Sequence, residues 1–357
     1  MPSLSDSYRN HPLHIHHKHH DLYSLQELPE SYTWTNINDN TFTYPSSNNI
    51  SEGSSVNVPV IDLNDPNAST LIGHACKTWG VFQVVNHGVP LSLLDDIEWV
   101  GLTLFSLPSQ QKLKAARCPN GVSGYGLARI SSFFPKLMWS EGFTILGSPL
   151  EHFRQLWPHD YNKYCDIVLQ YDETMKKLAE KLMWMMLDSL GITKEDLKWA
   201  GSKSQFSEAC AALQLNSYPS CPDPNRAMGL APHTDSTLFT ILYQNNISGL
   251  QVKHDGSDDG NGWVTVPPLS GGLVINVGDL LHILSNGLYP SAFHRVLVNR
   301  TRQRFSAAYL FGPPANVEIC PHAKLVGPSR PPLYRPVTWN EQFSHTINTR
   351  LQILFYK

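Results

Sequence analysis

Apolar residues follow two different periods along the chain, helical in the front half and strand-like in the back half. In the front half, apolar side chains recur every three or four residues over the longest predicted helix, which Gly191 ends. The front half is predicted to contain a strand, a helix, a second strand and two longer helices, at 59–63, 69–78, 81–85, 90–107 and 171–190.

After residue 211, short apolar runs are separated by turn-forming residues, which is the pattern of a β-rich region. The runs predicted as strands are 212–215, 238–243, 250–252, 263–266, 273–277, 281–284, 293–298 and 305–311. Asp-Gly pairs between 253 and 262 indicate a hairpin loop. Short strands with irregular turns are typical of a β-sandwich or jelly roll. The predicted fold class is therefore mainly β with α, a jelly-roll core carrying a helical N-terminal portion.

The first 55 residues differ in composition from the rest. They are His-rich between His11 and His20, and rich in Asn, Ser, Thr and Gly from Asn36 to Ser55. A segment this polar buries too little apolar area to offset its ordering entropy, so we expect partial disorder and a solvated histidine tract. The predicted division is a segment at 1–55, an α/β region at 56–205, a jelly-roll core at 206–320 and a C-terminal extension at 321–357.

Charge and cysteine usage exclude some classes of partner. The chain carries 27 Lys and Arg against 30 Asp and Glu, a net charge of −3, so nothing indicates a nucleic acid or a membrane surface. It has no apolar run of about 18 residues and no secretory signal pattern at its start. The six cysteines form no C-x-x-C pair, which favours reduced thiols. We expect a monomeric cytoplasmic protein that acts on a small molecule.

Two histidines and a carboxylate form the candidate metal site. His233 and Asp235 are two positions apart, so in an extended segment they face the same side and reach one ion. His294, in a later strand-like run, would supply the third ligand. Two histidines and one carboxylate bind one face of an iron ion and leave other positions open. Each residue alone occurs often by chance, but the combination predicts a catalytic iron site.

A carboxylate-binding group is predicted on two further strands. Arg304 and Ser306 share one strand face, and a guanidinium beside a hydroxyl binds a carboxylate through charge-assisted hydrogen bonds. Asn216 and Tyr218 likewise share one face, from which Tyr218 could donate to the same carboxylate.

These residues resemble the motifs of the plant 2-oxoglutarate- and iron(II)-dependent dioxygenases. The matching motifs are Asn216-x-Tyr218-Pro219, His233-x-Asp235, His294 and Arg304-x-Ser306, with residues 58–63 and 79–90 matching the family's front half. The resemblance covers about 56–340 and implies a double-stranded β-helix core. It implies Fe(II) on His233, Asp235 and His294, and O₂ as a substrate. It also implies 2-oxoglutarate on Arg304, Ser306 and Tyr218 with support from Asn216, and ascorbate as reductant.

Several blocks, most of them outside the metal motif, are similar to one subfamily, which hydroxylates gibberellin precursors at the 3-beta position. They are residues 24–34, 123–134, 138–145, 147–150, 152–158 and 232–251. This similarity implies that part of the first 55 residues is ordered. It also implies an apolar pocket formed by 123–134 and Phe311, with Arg129 as a candidate for the carboxylate of gibberellin. After Glu341 the tail departs from the family's lysine- and alanine-containing helix, which we expect to affect closure over the substrate rather than metal binding.

Three alternatives stay open on the sequence alone. The substrate could be another gibberellin position or a flavonoid. The chain could be a non-catalytic jelly-roll binding or storage protein, although such a barrel needs no carboxylate clamp. It could also be a zinc hydrolase, because the same donor set binds zinc. Product identification separates the substrates, and oxygen consumption coupled to succinate release separates an oxygenase from the storage protein and the hydrolase.

Overall fold

The computed structural model describes residues 21–34, 57–118, 121–201, 206, 208–254 and 262–339. Its helices are α1 (Ala68–Thr78), α2 (Leu91–Ser106), α3 (Ser109–Lys114), α4 (Leu150–Leu156), α5 (Tyr161–Asp188) and α6 (Asp279–Leu284). Its first strands are β1 (Val60–Asp62), β2 (Val81–Val85), β3 (Gly124–Gly126), β4 (Glu141–Ile145), β5 (Cys210–Tyr218), β6 (Met228–His233) and β7 (Phe239–Gln244). The remaining strands are β8 (Leu250–Lys253), β9 (Trp263–Thr265), β10 (Leu273–Val277), β11 (His294–Leu297), β12 (Arg304–Gly312), β13 (Glu318–Ile319) and β14 (Val337–Thr338).

Two sheets enclose the centre of the molecule. The larger has the strand order β1-β2-β10-β7-β12-β5-β4-β3, and the smaller has the order β6-β11-β8-β9. Side chains of both sheets line a common cavity, so the sheets face each other across it. This arrangement confirms the predicted jelly-roll core. Strands β1 to β4 come from the front half of the chain and extend the same large sheet.

The alternation of side chains along β12 separates the cavity from the helical core. Successive side chains of a strand point to opposite faces. The side chains that line the cavity are Arg304, Ser306, Ala308 and Leu310. Those buried in the main core are Phe305, Ala307, Tyr309 and Phe311, which pack in one cluster with apolar residues of α1, α2 and α5.

Strands β3, β4, β13 and β14 and helices α3 and α4 were not predicted, and three further elements differ from the sequence predictions. The run 281–284, predicted as a strand, is the end of helix α6. The prediction failed because a four-residue apolar run fits either structure. Helix α5 begins at Tyr161, ten residues before the predicted start, in a stretch where only one face is apolar. Strand β6 was missed because Gly229 and Pro232 interrupt its pattern. Proline is tolerated there because β6 is an edge strand that pairs with β11 alone.

Part of the polar first 55 residues packs against the body, as the resemblance implied. Within residues 21–34, the side chains of Leu22 and Tyr32 are buried. The predictions of disorder for 1–20 and 35–55, and of an altered helix after Glu341, fall on residues outside those that the structure describes. No helix in the described part is long and apolar enough to cross a membrane.

Candidate active site

His233, Asp235 and His294 meet where the small sheet faces the large one. His233 is the last residue of β6 and pairs across the sheet with His294, the first residue of β11. The Nε2 atom of His233 lies 3.6 Å from Asp235 Oδ1, and that of His294 lies 4.0 Å from the same oxygen. One potential ligand atom from each side chain lies within 4.8 Å of the others. The geometry therefore suits a single metal ion held between them.

Hydrogen bonds to backbone carbonyls orient the two histidine rings. The Nδ1 atom of His233 donates to the carbonyl of Ala231 at 2.8 Å, and that of His294 donates to the carbonyl of Ala292 at 2.9 Å. A ring that donates from Nδ1 presents the lone pair of Nε2 to a metal when it is neutral. Burial, followed by the nearby charge of His294, lowers the pKa of His233 to about 4, so its ring is neutral at physiological pH.

Asp235 lies two residues beyond the end of β6, in the connection to β7. Strand β6 ends at His233, and the backbone carbonyl of Asp235 accepts a hydrogen bond from the amide of Asp279 at 2.9 Å. The hydroxyl of Thr240 donates to Asp235 Oδ2 at 2.6 Å, while Oδ1 faces the two imidazoles. No sequence pattern predicts the role of Thr240, because its hydrogen bond to Asp235 spans the connection between two strands.

The four residues predicted to bind a carboxylate lie side by side on the central strands β5 and β12. Arg304 pairs with Tyr218, and Ser306 pairs with Asn216. All four side chains line the cavity, so the structure brings the whole predicted group together. Burial raises the pKa of Tyr218, which keeps its hydroxyl protonated and able to donate.

Arg304 is a buried cation whose donors are incompletely used. Its side chain is 1% exposed, and its guanidinium carbon lies 5.0 Å from the ring centroid of Tyr218. Its Nη2 donates to Gln244 Oε1 at 2.8 Å, whereas Nε and Nη1 are buried with no hydrogen-bond partner among the described residues. Burial lowers the pKa of Arg304, because a charge out of water is disfavoured. Donors left in this state fit an anionic ligand such as the far carboxylate of 2-oxoglutarate.

The cavity that holds both groups has a volume of about 420 Å³. Its remaining walls are mainly apolar and include Val122, Ala128, Ile130, Leu230 and Leu310. Six positions separate Leu310 from Arg304 on β12, which is ~20 Å at ~3.3 Å per residue of strand. The cavity therefore has room for a co-substrate near Arg304 and a second, apolar molecule further along the strand.

The residues predicted for the substrate pocket are only partly in it. Ala128, Arg129 and Ile130 line the cavity, and the Nη2 of Arg129 donates to the carbonyl of Val122 at 2.8 Å. The prediction for Phe311 is wrong. Its side chain points to the other face of β12 and packs against aromatic rings of the helical core, with ring centroids 5.2 Å and 6.1 Å away.

Comparison with known proteins agrees with this geometry. Residues 209–313 match the 2OG-Fe(II) oxygenase superfamily, and residues 58–161 match the family described as non-haem dioxygenase in morphine synthesis N-terminal. Gibberellin 3-beta-dioxygenase 1 of Pisum sativum is 76% identical over 341 residues, which are 96% of this chain and 90% of that protein. The chain belongs to the gibberellin 3-beta-dioxygenase family of 2-oxoglutarate- and iron(II)-dependent oxygenases. Gibberellin 3-beta-dioxygenase 1 of Arabidopsis thaliana is 58% identical, over 96% of this chain and 94% of that one.

Solved structures show the same fold in complex with 2-oxoglutarate, and one of them also contains iron. The structure of JOX2 in complex with 2OG, Fe and JA is 31% identical and covers 89% of each chain, with a TM-score of 0.72. The dioxygenase for auxin oxidation 1 of Arabidopsis thaliana, in complex with 2-oxoglutarate, is 27% identical with a TM-score of 0.63, covering 77% of this chain and 99% of that one. The cofactors of this dioxygenase are Fe(II) and 2-oxoglutarate. Membership of the family excludes the storage protein and the zinc hydrolase.

Proposed function

We propose that this dioxygenase hydroxylates a gibberellin precursor at the 3-beta position, with 2-oxoglutarate and O₂ as co-substrates. The observation that carries the proposal is the 76% identity to the Pisum sativum enzyme over 96% of the chain. A cavity with a polar end and a long apolar wall supports it, because the substrate is a rigid apolar ring system with a carboxylate.

We assign the metal to the three convergent ligands. His233 and His294 bind Fe(II) through Nε2, and Asp235 binds it through Oδ1. The backbone carbonyls behind the rings and the hydroxyl of Thr240 fix these atoms before the ion arrives. Bound iron, with 2-oxoglutarate and O₂, supplies the oxidant that hydroxylates an unactivated carbon and releases succinate and CO₂.

We assign 2-oxoglutarate to the central strands. Arg304 binds the far carboxylate through its unused donors, and Ser306 and Tyr218 donate to the same group. Asn216 supports the end of the molecule that lies near the metal. Both tyrosine and guanidinium are buried, so these hydrogen bonds form in a site that excludes water, where they are stronger than at a surface.

We assign the carboxylate of the gibberellin to Arg129. Among the side chains that line the cavity, Arg129 and Arg304 carry a permanent positive charge, and Arg304 is taken by the co-substrate. Arg129 lies in the wall formed by Ala128 and Ile130, so a bound carboxylate would hold the rings against apolar side chains. Arg129→Met should raise the KM for the gibberellin at least about tenfold and leave the KM for 2-oxoglutarate unchanged. Arg129→Lys keeps the positive charge, so it should raise the KM for the gibberellin by less than Arg129→Met does.

The test of the activity is an anaerobically reconstituted assay. Protein, Fe(II), 2-oxoglutarate, ascorbate and a 3-deoxy gibberellin are mixed, O₂ is admitted, and products are identified by mass spectrometry. A 3-beta-hydroxylated product with equimolar succinate is expected. Hydroxylation at another gibberellin position, or of a flavonoid alone, would replace the substrate assignment and keep the class.

We also propose that the enzyme works as a cytoplasmic monomer. The six cysteines are unpaired, which suits a reducing compartment. Light scattering after size exclusion should give a mass near 40.1 kDa. A larger mass, or a specific activity that rises with enzyme concentration, would contradict the monomer.

A further inference from the structure

The end of the N-terminal segment 21–34 forms hydrogen bonds with residues that lie close to the cavity wall in sequence or in space. The amide of Leu137 donates to the carbonyl of Ser31 at 2.8 Å, and the amide of Trp34 donates to the carbonyl of Arg226 at 2.9 Å. The indole Nε1 of Trp34 donates to the carbonyl of Leu137 at 2.9 Å. The indole ring of Trp34 is thereby fixed directly beside the stretch that forms the wall.

Trp34 packs against the same small cluster that backs the cavity. The cluster consists of the buried side chains of Met138, Met228 and Ala231. Partly buried side chains packed on it are Trp34, Ala128, Ile130, Phe134, Leu230 and Leu297. Of these, Ala128, Ile130 and Leu230 also line the cavity. Part of the packing around the cluster therefore lines the cavity, whereas Trp34 packs on the same cluster without lining the cavity itself.

The wall has little regular structure of its own to hold it in place. It is a 3₁₀ helix, Arg129–Phe133, and helices of this kind have weak hydrogen-bond geometry. Its described backbone bonds include those from Ser131 to Ala128 at 2.9 Å and from Phe134 to Ser131 at 3.3 Å. The ring of Trp34 lies 5.5 Å from that of Phe134, at the end of this helix. The position of the wall therefore depends in part on packing, to which a large aromatic side chain contributes.

We propose that Trp34 is a positioning residue that holds the 3₁₀ wall against the substrate and so sets the affinity for it. The inference rests on the proposed function for the identity of the substrate. Trp34 touches neither the metal ligands nor the group around Arg304. Its loss should therefore change binding of the substrate and leave binding of iron and 2-oxoglutarate alone.

The test compares Trp34→Ala with the full-length wild type by two measurements. Hydrogen–deuterium exchange of the free enzyme should show faster exchange of the amides at 131–134. Steady-state kinetics should show a KM for the 3-deoxy gibberellin raised about tenfold, because a displaced wall misplaces the substrate, with the KM for 2-oxoglutarate unchanged. Trp34→Phe keeps an aromatic ring, so its exchange rates at 131–134 and its KM for the gibberellin should both lie close to those of the wild type.

The matched control lies on the same segment, at an exposed side chain. Glu30→Ala breaks the ion pair to Lys136, 2.9 Å long, and should change neither measurement. Unchanged exchange in Trp34→Ala, or faster exchange with an unchanged KM, would overturn the proposal, as would an equal rise in both KM values. If the wild type hydroxylates no gibberellin, the proposed function fails by itself, and the exchange measurement still decides whether Trp34 holds the wall.

Discussion

Replacing Arg304 with methionine should separate binding of 2-oxoglutarate from stability of the fold. The guanidinium is buried, and two of its nitrogens have no partner among the described residues. A carboxylate placed there accepts two charge-assisted hydrogen bonds, worth about 1.5–3 kcal/mol each. Loss of both, about 3–6 kcal/mol, corresponds to binding that is weaker by ~10² to 10⁴-fold.

The same substitution should not destabilise the protein in the absence of 2-oxoglutarate. Burial lowers the pKa of Arg304, so the folded protein already disfavours this charge. Replacing buried ionic groups by apolar ones of similar volume is often neutral or stabilising, by about 1–4 kcal/mol. The lost hydrogen bond to Gln244 offsets about 1 kcal/mol of any gain. Arg304→Lys keeps a charge but not the planar fork, so its affinity for 2-oxoglutarate should be intermediate.

The assay is calorimetric titration of 2-oxoglutarate into enzyme loaded with Mn(II) in place of Fe(II), beside urea denaturation of the metal-free protein. Binding of Mn(II) itself is measured first and should be unchanged, because Arg304 is not one of the three convergent ligands. A 2-oxoglutarate affinity within about threefold of the wild type would refute the assignment of Arg304. An equal loss of Mn(II) affinity would also refute it.

Three further predictions concern the supports of the site and of the fold. Thr240→Val removes the hydrogen bond to Asp235 and should weaken Mn(II) binding ~10- to 100-fold, whereas Thr240→Ser should bind normally. Burial holds the pKa of His87 below its usual 6.5, so as the pH falls the unfolded chain binds a proton on His87 before the folded chain does. The contribution of His87 to stability should therefore be complete above pH 6.5 and should decrease below it. In urea denaturation between pH 7 and 5, His87→Gln should reduce the dependence of the unfolding free energy on pH. Lys112→Met removes the ammonium group that lies 2.8 Å from the buried carboxylate of Glu141, and it should lower the unfolding free energy by about 3–5 kcal/mol. The double variant with Glu141→Gln should recover part of this loss, because the remaining buried group is then neutral.

The metal and carboxylate groups could be predicted because each depends on short-range spacing. Arg304 and Ser306 are two apart on a strand, and so are Asn216 and Tyr218; alternation alone places each pair on one face. The pairing of the two strands, which the sequence does not state, then brings the pairs together. The interval of two positions between His233 and Asp235 predicted these two ligands, although strand β6 itself ends at His233.

The supports of the site could not be predicted, because they connect residues that no local period relates. Gln244 reaches Arg304 across sixty positions, and Trp34 reaches Leu137 across more than a hundred. Phe311 was misplaced for a related reason. Phe311 lies on the same strand as Arg304 and Ser306, but its odd spacing from Arg304 puts it on the other face. The sequence of one strand does not show which of its faces lines the cavity, because that depends on how the two sheets pack.

The two ends of the cavity therefore have different sources of rigidity. The end around Arg304 stands on central strands that are paired on both sides, and Phe305 anchors β12 against α2 so closely that a Cβ at Gly101 would come within 2.1 Å of the ring. The substrate end stands on a short 3₁₀ wall backed by Trp34. Co-substrate binding should consequently tolerate changes in the wall, whereas substrate choice should depend on the wall and segment 21–34 together. Grafting residues 123–134 from a relative of different specificity should transfer that specificity only when residues 21–34 are transferred with them; transfer by the wall alone would show that the wall needs no support.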